Sequence, residues 1–446
     1  MISSRSPEHF AGLGKDMISG FENLGWNVDY LTRFKTDDRH VIGIYDPPNG
    51  NTYSFKNLIK NVLRNLGVLH KIYKIVDKIN RSNPNYITRN GRTIVSKNEE
   101  NPVITIEEVL GKISNNYDFV FVYCWQDMLT SLTLQSIYQH LKVPIIISAY
   151  DFQPFTGGCS YFDNCKNYEH SCGACPILNS EDLNDQTRIN FNYKKQVYST
   201  TPIGVITNPY SRIVIERTGL FDQSKIETTY HPIDEKHFCP QDKVISKQHF
   251  NINDKYKFVI FARFAGLQHI SKGYKYMIES VNIFADNLPT ESKSEILLLL
   301  AGAQDFTFEK QFHIDVMNVG LLSTDDLITA YSAANVFLST SIDDAGPSMV
   351  NQSIICGTPV VAFDIGSAQY MVDNDKTGYR VEIKDSYAMA NALQKLYVQN
   401  ATERIQIRYN CRAKGIEMCS LSVFCNTIIN LSEKLEANVN RVYSNS

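Results

Sequence analysis

Two kinds of hydrophobic pattern alternate along the chain. "KFVIFAR" and "EILLLLAG" are short, nearly unbroken apolar runs, whereas "GYKYMIESVNIFADNL" between them repeats its apolar positions every three or four residues. The first kind reads as a strand buried on both faces and the second as an amphipathic helix. The alternation continues with "STDDLITAYSAA" as a helix capped by Ser323, "NVFLST" as a strand, 347–356 as a helix, "TPVVAFD" as a strand, "GSAQYMVD" as a helix and "GYRVEI" as a last strand. Helices follow to about residue 438.

The first half shows the same traffic. "KDMISGFENLG" sets Met17, Ile18, Phe21 and Leu24 at helical spacing, and Gly25 is placed to end that helix. "WNVDYL" (26–31), "YDFVFVYCW", "VPIIISAYD" and "PIGVITN" read as strands, with "LTLQSIYQHL" and "SRIVIERTGL" as helices. Repeated βαβ units predict an α/β chain with two doubly wound parallel sheets, separated by a polar, less regular stretch at 234–256. Ligands of such sheets sit at the carboxyl ends of the strands, which places the expected site in a cleft faced by two domains.

Composition narrows the class. The chain has 446 residues, 43% hydrophobic and 20% charged, with a net charge of −3. No overall basic surface points to nucleic acid. The N-terminus carries no apolar signal region, and the longest apolar runs fall short of a membrane span. The expected compartment is the cytoplasm, with peripheral contact at the inner face of the membrane left open.

Four of the ten cysteines, Cys159, Cys165, Cys172 and Cys175, fall within "GGCSYFDNCKNYEHSCGACP" (157–176). Their C-x5-C-x6-C-x2-C spacing suits a structural zinc with four thiolates. Free or redox-labile thiols and an iron–sulfur cluster are the alternatives. A closed set of four thiolates leaves no open position for a substrate, so none of them reads as a nucleophile. His170 lies in the same loop and reads as exposed. Tyr161, Phe162 and Tyr168 read chiefly as packing for the loop, with a sugar platform as the alternative.

The richest chemistry lies in "SIDDAGPSMVNQSIICGTPVVAFDIGSAQYMVDNDKTGYRV" (341–381). Gly346, Pro347 and Ser348 open a helix whose free N–H groups and dipole favour an anion. Asp344 precedes that helix and Gln352 lies inside it. Gly366, in "DIGS", starts a second glycine turn.

This stretch resembles the donor-binding segment of the GT-B glycosyltransferases, in the large retaining family that includes sucrose and mannosyl transferases. "CGTPVVAFD" and "DKTGYRV" carry the likeness. The family's E-x7-E pair becomes Asp344-x7-Gln352 here, which leaves binding intact on paper and puts catalytic power in question. The resemblance implies that Asp344 lies near the transferred sugar and that Gln352 bonds the ribose. "VIFARFAGLQHISKGYKYMIESV" is similar to the family's basic loop, which implies Arg263 and Lys272 at the diphosphate. "HPIDEKHFCP" (231–240) is similar to its hinge, with His231 where Asn is usual. "HFAGLGKDM" fits the first Gly-rich loop, which implies Gly12 and Gly14 at the donor or acceptor.

"VPIIISAYDFQPFTGGCSYFDNCKNYEHSCGACPIL" (143–178) resembles a polysaccharide-biosynthesis subgroup with the same four cysteines. That subgroup usually has His before the Asp. Here Tyr150 precedes Asp151, and a tyrosine is a poor base at neutral pH. The resemblance implies a GT-B fold with an acceptor-side domain at 1–234, carrying the cysteine loop 157–178. A donor domain follows at 235–415, and a helix at 416–446 packs back on the first.

The implied activity is transfer of a sugar from a nucleotide sugar to a hydroxyl acceptor, a glycan or lipid-linked glycan, with retention. The implied pathway is assembly of bacterial surface polysaccharide such as capsule or O-antigen. No catalytic metal is expected, because Lys272, Arg263 and helix N-termini serve its electrostatic role. The rivals are a weak or inactive nucleotide-sugar binder and a GT-B epimerase or phosphorylase.

Overall fold

In a computed structural model of the chain, residues 1–4, 6, 9–46, 87–89, 92–94, 99–114, 116–126, 128–149, 151–162, 164–264, 270–302, 310–342 and 348–444 are described. The chain divides into two compact units. One comprises Met1–Thr207, Arg212–Thr228 and Asn426–Ser446, the other Asn208–Ser211 and Thr229–Cys425.

The first unit holds β1 (Tyr30–Phe34), β2 (Val41–Tyr45), the small antiparallel pair β3 (Ile87–Arg89) and β4 (Arg92–Ile94), then β5 (Val120–Val122), β6 (Ile145–Ser148), β7 (Ile203–Thr207) and β8 (Ile226–Thr228). Strands β5 to β8 form a parallel sheet in sequence order, and β1 pairs parallel with β2. Ile2 joins these two pieces by parallel bridges to Leu31 and Val122. Hydrogen bonds from Ile2 N–H to Phe121 O (2.8 Å) and from Ser3 N–H to Leu31 O (3.0 Å) hold it there. The strand predicted at 26–31 therefore sits later, at Tyr30–Phe34, because residues 24–29 form the turn after the first helix, His9–Asn23. Gly25 ends that helix with φ 86°, as its position required.

The second unit holds β9 (Phe258–Phe264), β10 (Ile296–Gly302), β11 (Asp315–Gly320), β12 (Val336–Ser339), β13 (Val360–Phe363) and β14 (Gly378–Val381). All pairs are parallel, in the order β11-β10-β9-β12-β13-β14. This is the doubly wound order whose direction reverses between β9 and β12. Residues 296–301 are buried throughout, since helices cover both faces of the sheet. Ser323 caps the helix Thr324–Ala333 by accepting from Asp326 N–H at 3.1 Å. The edge strand β11 is half-buried apart from exposed Asp315 and lacks an apolar run, so the pattern did not announce it. The polar stretch 234–256 contains a short helix, Lys243–His249.

Candidate functional site

In the second unit the reversal point lies at the carboxyl ends of β9 and β12. Arg263 stands near the end of β9, half-buried. Its Nη1 donates to Gln352 Oε1 at 3.2 Å. Gln352 lies one turn into the helix Ser348–Ile355 and is buried. The buried Tyr331 hydroxyl donates to the same oxygen at 3.3 Å. Burial pushes the Tyr331 phenol up to about 12, while Arg263 acts to lower it. The tyrosine therefore serves as a neutral donor at any ordinary pH.

Lys272 ends the single turn Ile270–Lys272 that precedes the helix Tyr274–Asp286. That turn is tied to the segment after β12. Thr340 Oγ1 donates to Lys272 O at 3.0 Å, and Ile342 N–H to Ser271 O at 2.7 Å. Gly273 follows with φ 64°, and a Cβ added there would stand 1.9 Å from Thr340 O. Only glycine fits, so the "KG" pair is a steric requirement as well as a chemical one. Gly366 has φ 56° in the turn after β13. Ser348 is the first residue of its helix. Arg263, Lys272, Ser348, Gln352 and Gly366 thus all lie at the carboxyl side of this sheet. Asp344 and Gly346 lie outside the described residues.

The first unit has its own site-like feature. Gln126, Cys124, Ser148 and Asp151 line one pocket at the carboxyl ends of β5 and β6. Asp151 Oδ1 accepts from Gln153 N–H at 2.9 Å and Oδ2 from Gln126 Nε2 at 2.5 Å. Burial raises its carboxyl to about 6, against the pull of these bonds and of Lys194. Asp151 is a turn carboxylate that also faces a pocket. Tyr150 lies outside the described residues. Gly12 and Gly14 need correction: they lie inside the helix His9–Asn23, not in a loop before it. The amphipathic repeat extends back past both glycines, so they form part of the helix rather than an open phosphate loop.

Sequence reasoning missed Lys194. It is 1% exposed and pairs at 3.2 Å with Glu99, which is 2% exposed. Its Nζ also donates to Gln153 O (2.7 Å) and Thr156 O (3.0 Å). One face of the helix Gln186–Thr200 clamps the turn after Asp151. Asn190 reaches Gly157 O at 3.1 Å and Tyr198 reaches Pro154 O at 3.1 Å. The signal was the four-residue spacing of Asn190, Lys194 and Tyr198.

The four cysteines line a single pocket with Gly157, Phe162, Tyr168 and Thr187, and none is disulfide-bonded. Gly157 N–H donates to Cys172 Sγ at 3.2 Å. Thr156 Oγ1 donates to the Cys159 carbonyl at 2.8 Å. Burial nevertheless pushes Cys159 to about 11 and Cys172 to about 12, so both are protonated unless a cation faces them. No group of three or more His, Cys, Asp or Glu is placed to hold a metal ion among the described residues. His170 is exposed, and Phe162 packs against Phe152 and Tyr168. Tyr161 is 46% exposed. Among the described residues no helix is long and apolar enough to cross a membrane.

Comparison with known proteins adds a partial family match. Residues 242–414 match the family described as glycosyl transferases group 1. A curated relative, N-acetyl-alpha-D-glucosaminyl L-malate synthase of Bacillus anthracis, is 25% identical over 199 residues. That match takes in 43% of this chain and 50% of the relative, so the chain spans about half the length of that protein.

Among solved structures, a glycosyltransferase from Rickettsia africae superposes with a TM-score of 0.61 at 11% identity, covering 98% of both chains. Sucrose-phosphate synthase from Thermosynechococcus elongatus gives 0.57 at 15% identity, covering 100% of this chain and 96% of that one. HepE of Anabaena, solved with UDP and glucose, gives 0.54 at 12% identity, covering 98% of both. The family match thus falls within the second unit, and the chain shares the two-domain Rossmann-like GT-B fold of these solved glycosyltransferases.

Proposed function

We propose that the protein moves a sugar from a nucleoside diphosphate sugar to a hydroxyl acceptor with retention of configuration. The reading rests above all on the convergence of Arg263, Lys272, Ser348 and Gln352 at the reversal point of the second sheet. Two cations at the carboxyl ends of parallel strands suit a diphosphate, and they stabilise the charge that grows on it as the glycosidic bond breaks. The leaving diphosphate takes the acceptor proton. Gln352 holds Arg263 in place through its amide oxygen. Its amide nitrogen, without a partner among the described residues, is the end that meets the ribose.

Asp344 stays the proposed carboxylate near the sugar, and Asp151 and Tyr150 the acceptor-side groups. Gly346 and Gly366 are proposed to let the donor approach the backbone closely. The acceptor is a glycan or lipid-linked glycan of bacterial surface polysaccharide, met in the cytoplasm at the inner face of the membrane. The four-cysteine pocket is proposed as a structural zinc site. The Gly157 N–H bond onto the Cys172 sulfur favours a thiolate there, and zinc binding would have to draw the sulfurs together.

Release of nucleoside diphosphate from a panel of nucleotide sugars tests the transfer, with UDP-hexoses first. Turnover that Lys272→Ala abolishes upholds it. Donor binding without turnover on any credible acceptor would make the chain a nucleotide-sugar binder instead.

A further inference from the structure

The amino-terminal side of the second sheet carries a cluster that the transfer reaction does not use. Lys243 opens the helix Lys243–His249, and Arg404 and Arg408 lie one turn apart on the helix Ala401–Cys419. One turn of spacing puts both guanidinium groups on the same helix face. The segment leading into the helix Lys243–His249 packs against the helix Ala401–Cys419: a Cβ on Gly357 would stand 3.2 Å from Arg408 O and 3.3 Å from the Pro240 ring. Lys243 Nζ donates to Ala334 O at 3.3 Å, just before β12 begins. This is the opposite end of the sheet from Arg263 and Lys272.

Cations crowd Lys243. Burial, and then the charges of Arg408, Arg404 and Lys247, lower its ammonium to about 7. Burial lowers the Arg408 guanidinium, against the buried thiols of Cys411 and Cys356. Arg404 Nη2 donates to Tyr397 O at 2.9 Å, but Arg404 Nε and Arg408 Nη1 are buried donors without a hydrogen-bond partner among the described residues. Arg412, one turn further on, shows what a structural arginine does here: it donates to the carbonyls of Phe238, Ile355 and Glu235, each at 2.7 Å. A guanidinium cannot shed its proton to escape burial, so an orphaned one calls for an anion. Forked donors beside an ammonium match the oxygens of a phosphate.

We propose that Lys243, Arg404 and Arg408 form a binding site for a phosphate-bearing anion, separate from the donor site. The phosphate belongs either to a small soluble molecule or to a lipid headgroup. Titration of the full chain with inorganic phosphate at constant ionic strength, read by calorimetry and thermal shift, tests the site. Arg404→Gln and Arg408→Gln are each expected to weaken phosphate binding about tenfold or more. Lys272→Ala, which removes a cation from the donor site, is expected to leave it unchanged. Lys243→Gln, at an exchangeable helix start, repeats the test if an arginine variant fails to fold.

Sedimentation with phosphatidylcholine vesicles, with and without phosphatidic acid, separates the two sources. Binding to phosphatidic acid that the arginine variants abolish assigns a headgroup, and binding to free phosphate alone assigns a soluble ligand. Binding of neither, binding that the Lys243, Arg404 and Arg408 variants leave intact, or loss on Lys272→Ala would overturn the proposal.

Discussion

Arg263 donates to Gln352 Oε1 at 3.2 Å, so the cation at the end of β9 is aimed by an amide on the neighbouring helix. Tyr331 shares that oxygen at 3.3 Å. Gln352→Ala removes the acceptor that half-buried Arg263 shares with Tyr331, whose hydroxyl keeps Met349 O at 3.2 Å, and frees the Arg263 side chain. We expect a loss of roughly 1–3 kcal/mol of stability, together with a raised KM for the donor. Urea unfolding and donor titration measure both. An unchanged KM would separate Gln352 from donor binding.

Gly273 is pinned between its left-handed backbone and Thr340 O. Gly273→Ala forces the Lys272 turn away from the segment after β12. The expected result is a chain destabilised by more than about 1–2 kcal/mol, with donor binding weakened alongside. Thermal unfolding and donor titration on the same sample check it. An alanine variant that matches the parent in both would refute the steric argument.

These two relationships show what was legible in the sequence. The strands β9, β10, β12 and β13 announce themselves because parallel strands under two helix layers must be apolar nearly throughout. The "KG" and "CGTPVVAFD" segments locate the site because close backbone packing restricts residue type. The Met1–Ser3 contribution to the first sheet was not legible, since its two bridges pass through the single residue Ile2. Gly12 and Gly14 misled because glycines near a helix start read as a loop until the helix boundary is known. Lys194 reads as a solvated charge until the turn it clamps, some 40 residues earlier, is placed above it.

Asp151 supplies a pH test. Its folded-state carboxyl titrates at about 6, above the model-peptide value of 3.8, chiefly through burial. A raised carboxyl contributes stability that is full below the unfolded value and is lost as pH rises through the folded one. The parent should therefore lose up to about 3 kcal/mol between about pH 4 and pH 6 relative to Asp151→Asn. Unfolding midpoints of both proteins across that window measure it. Parallel curves would show that Asp151 titrates as an ordinary surface carboxyl.

The cysteine loop is tested by metal content. Protein purified without chelator is expected to hold close to one zinc per chain, and Cys172→Ser to lower both metal content and melting temperature. Elemental analysis decides, and less than about 0.3 zinc per chain would leave four metal-free thiols as the better account.

The buried pair Lys194–Glu99 gives the sharpest test of how the turn after Asp151 is held. Removing one partner strands the other charge in a dry site, which costs roughly 3–5 kcal/mol. Lys194→Met also orphans the carbonyls of Gln153 and Thr156. Glu99→Gln keeps an acceptor for the Ser131 N–H and hydroxyl, which bond Glu99 at 3.0 and 3.1 Å, and so is the milder change. The double variant Lys194→Met with Glu99→Gln should lose less than the two single losses added, since neither charge is then left alone. A double-mutant cycle by urea unfolding measures that coupling. Strict additivity would mean that the two side chains act separately, Lys194 holding the turn through the carbonyls of Gln153 and Thr156 and not through Glu99.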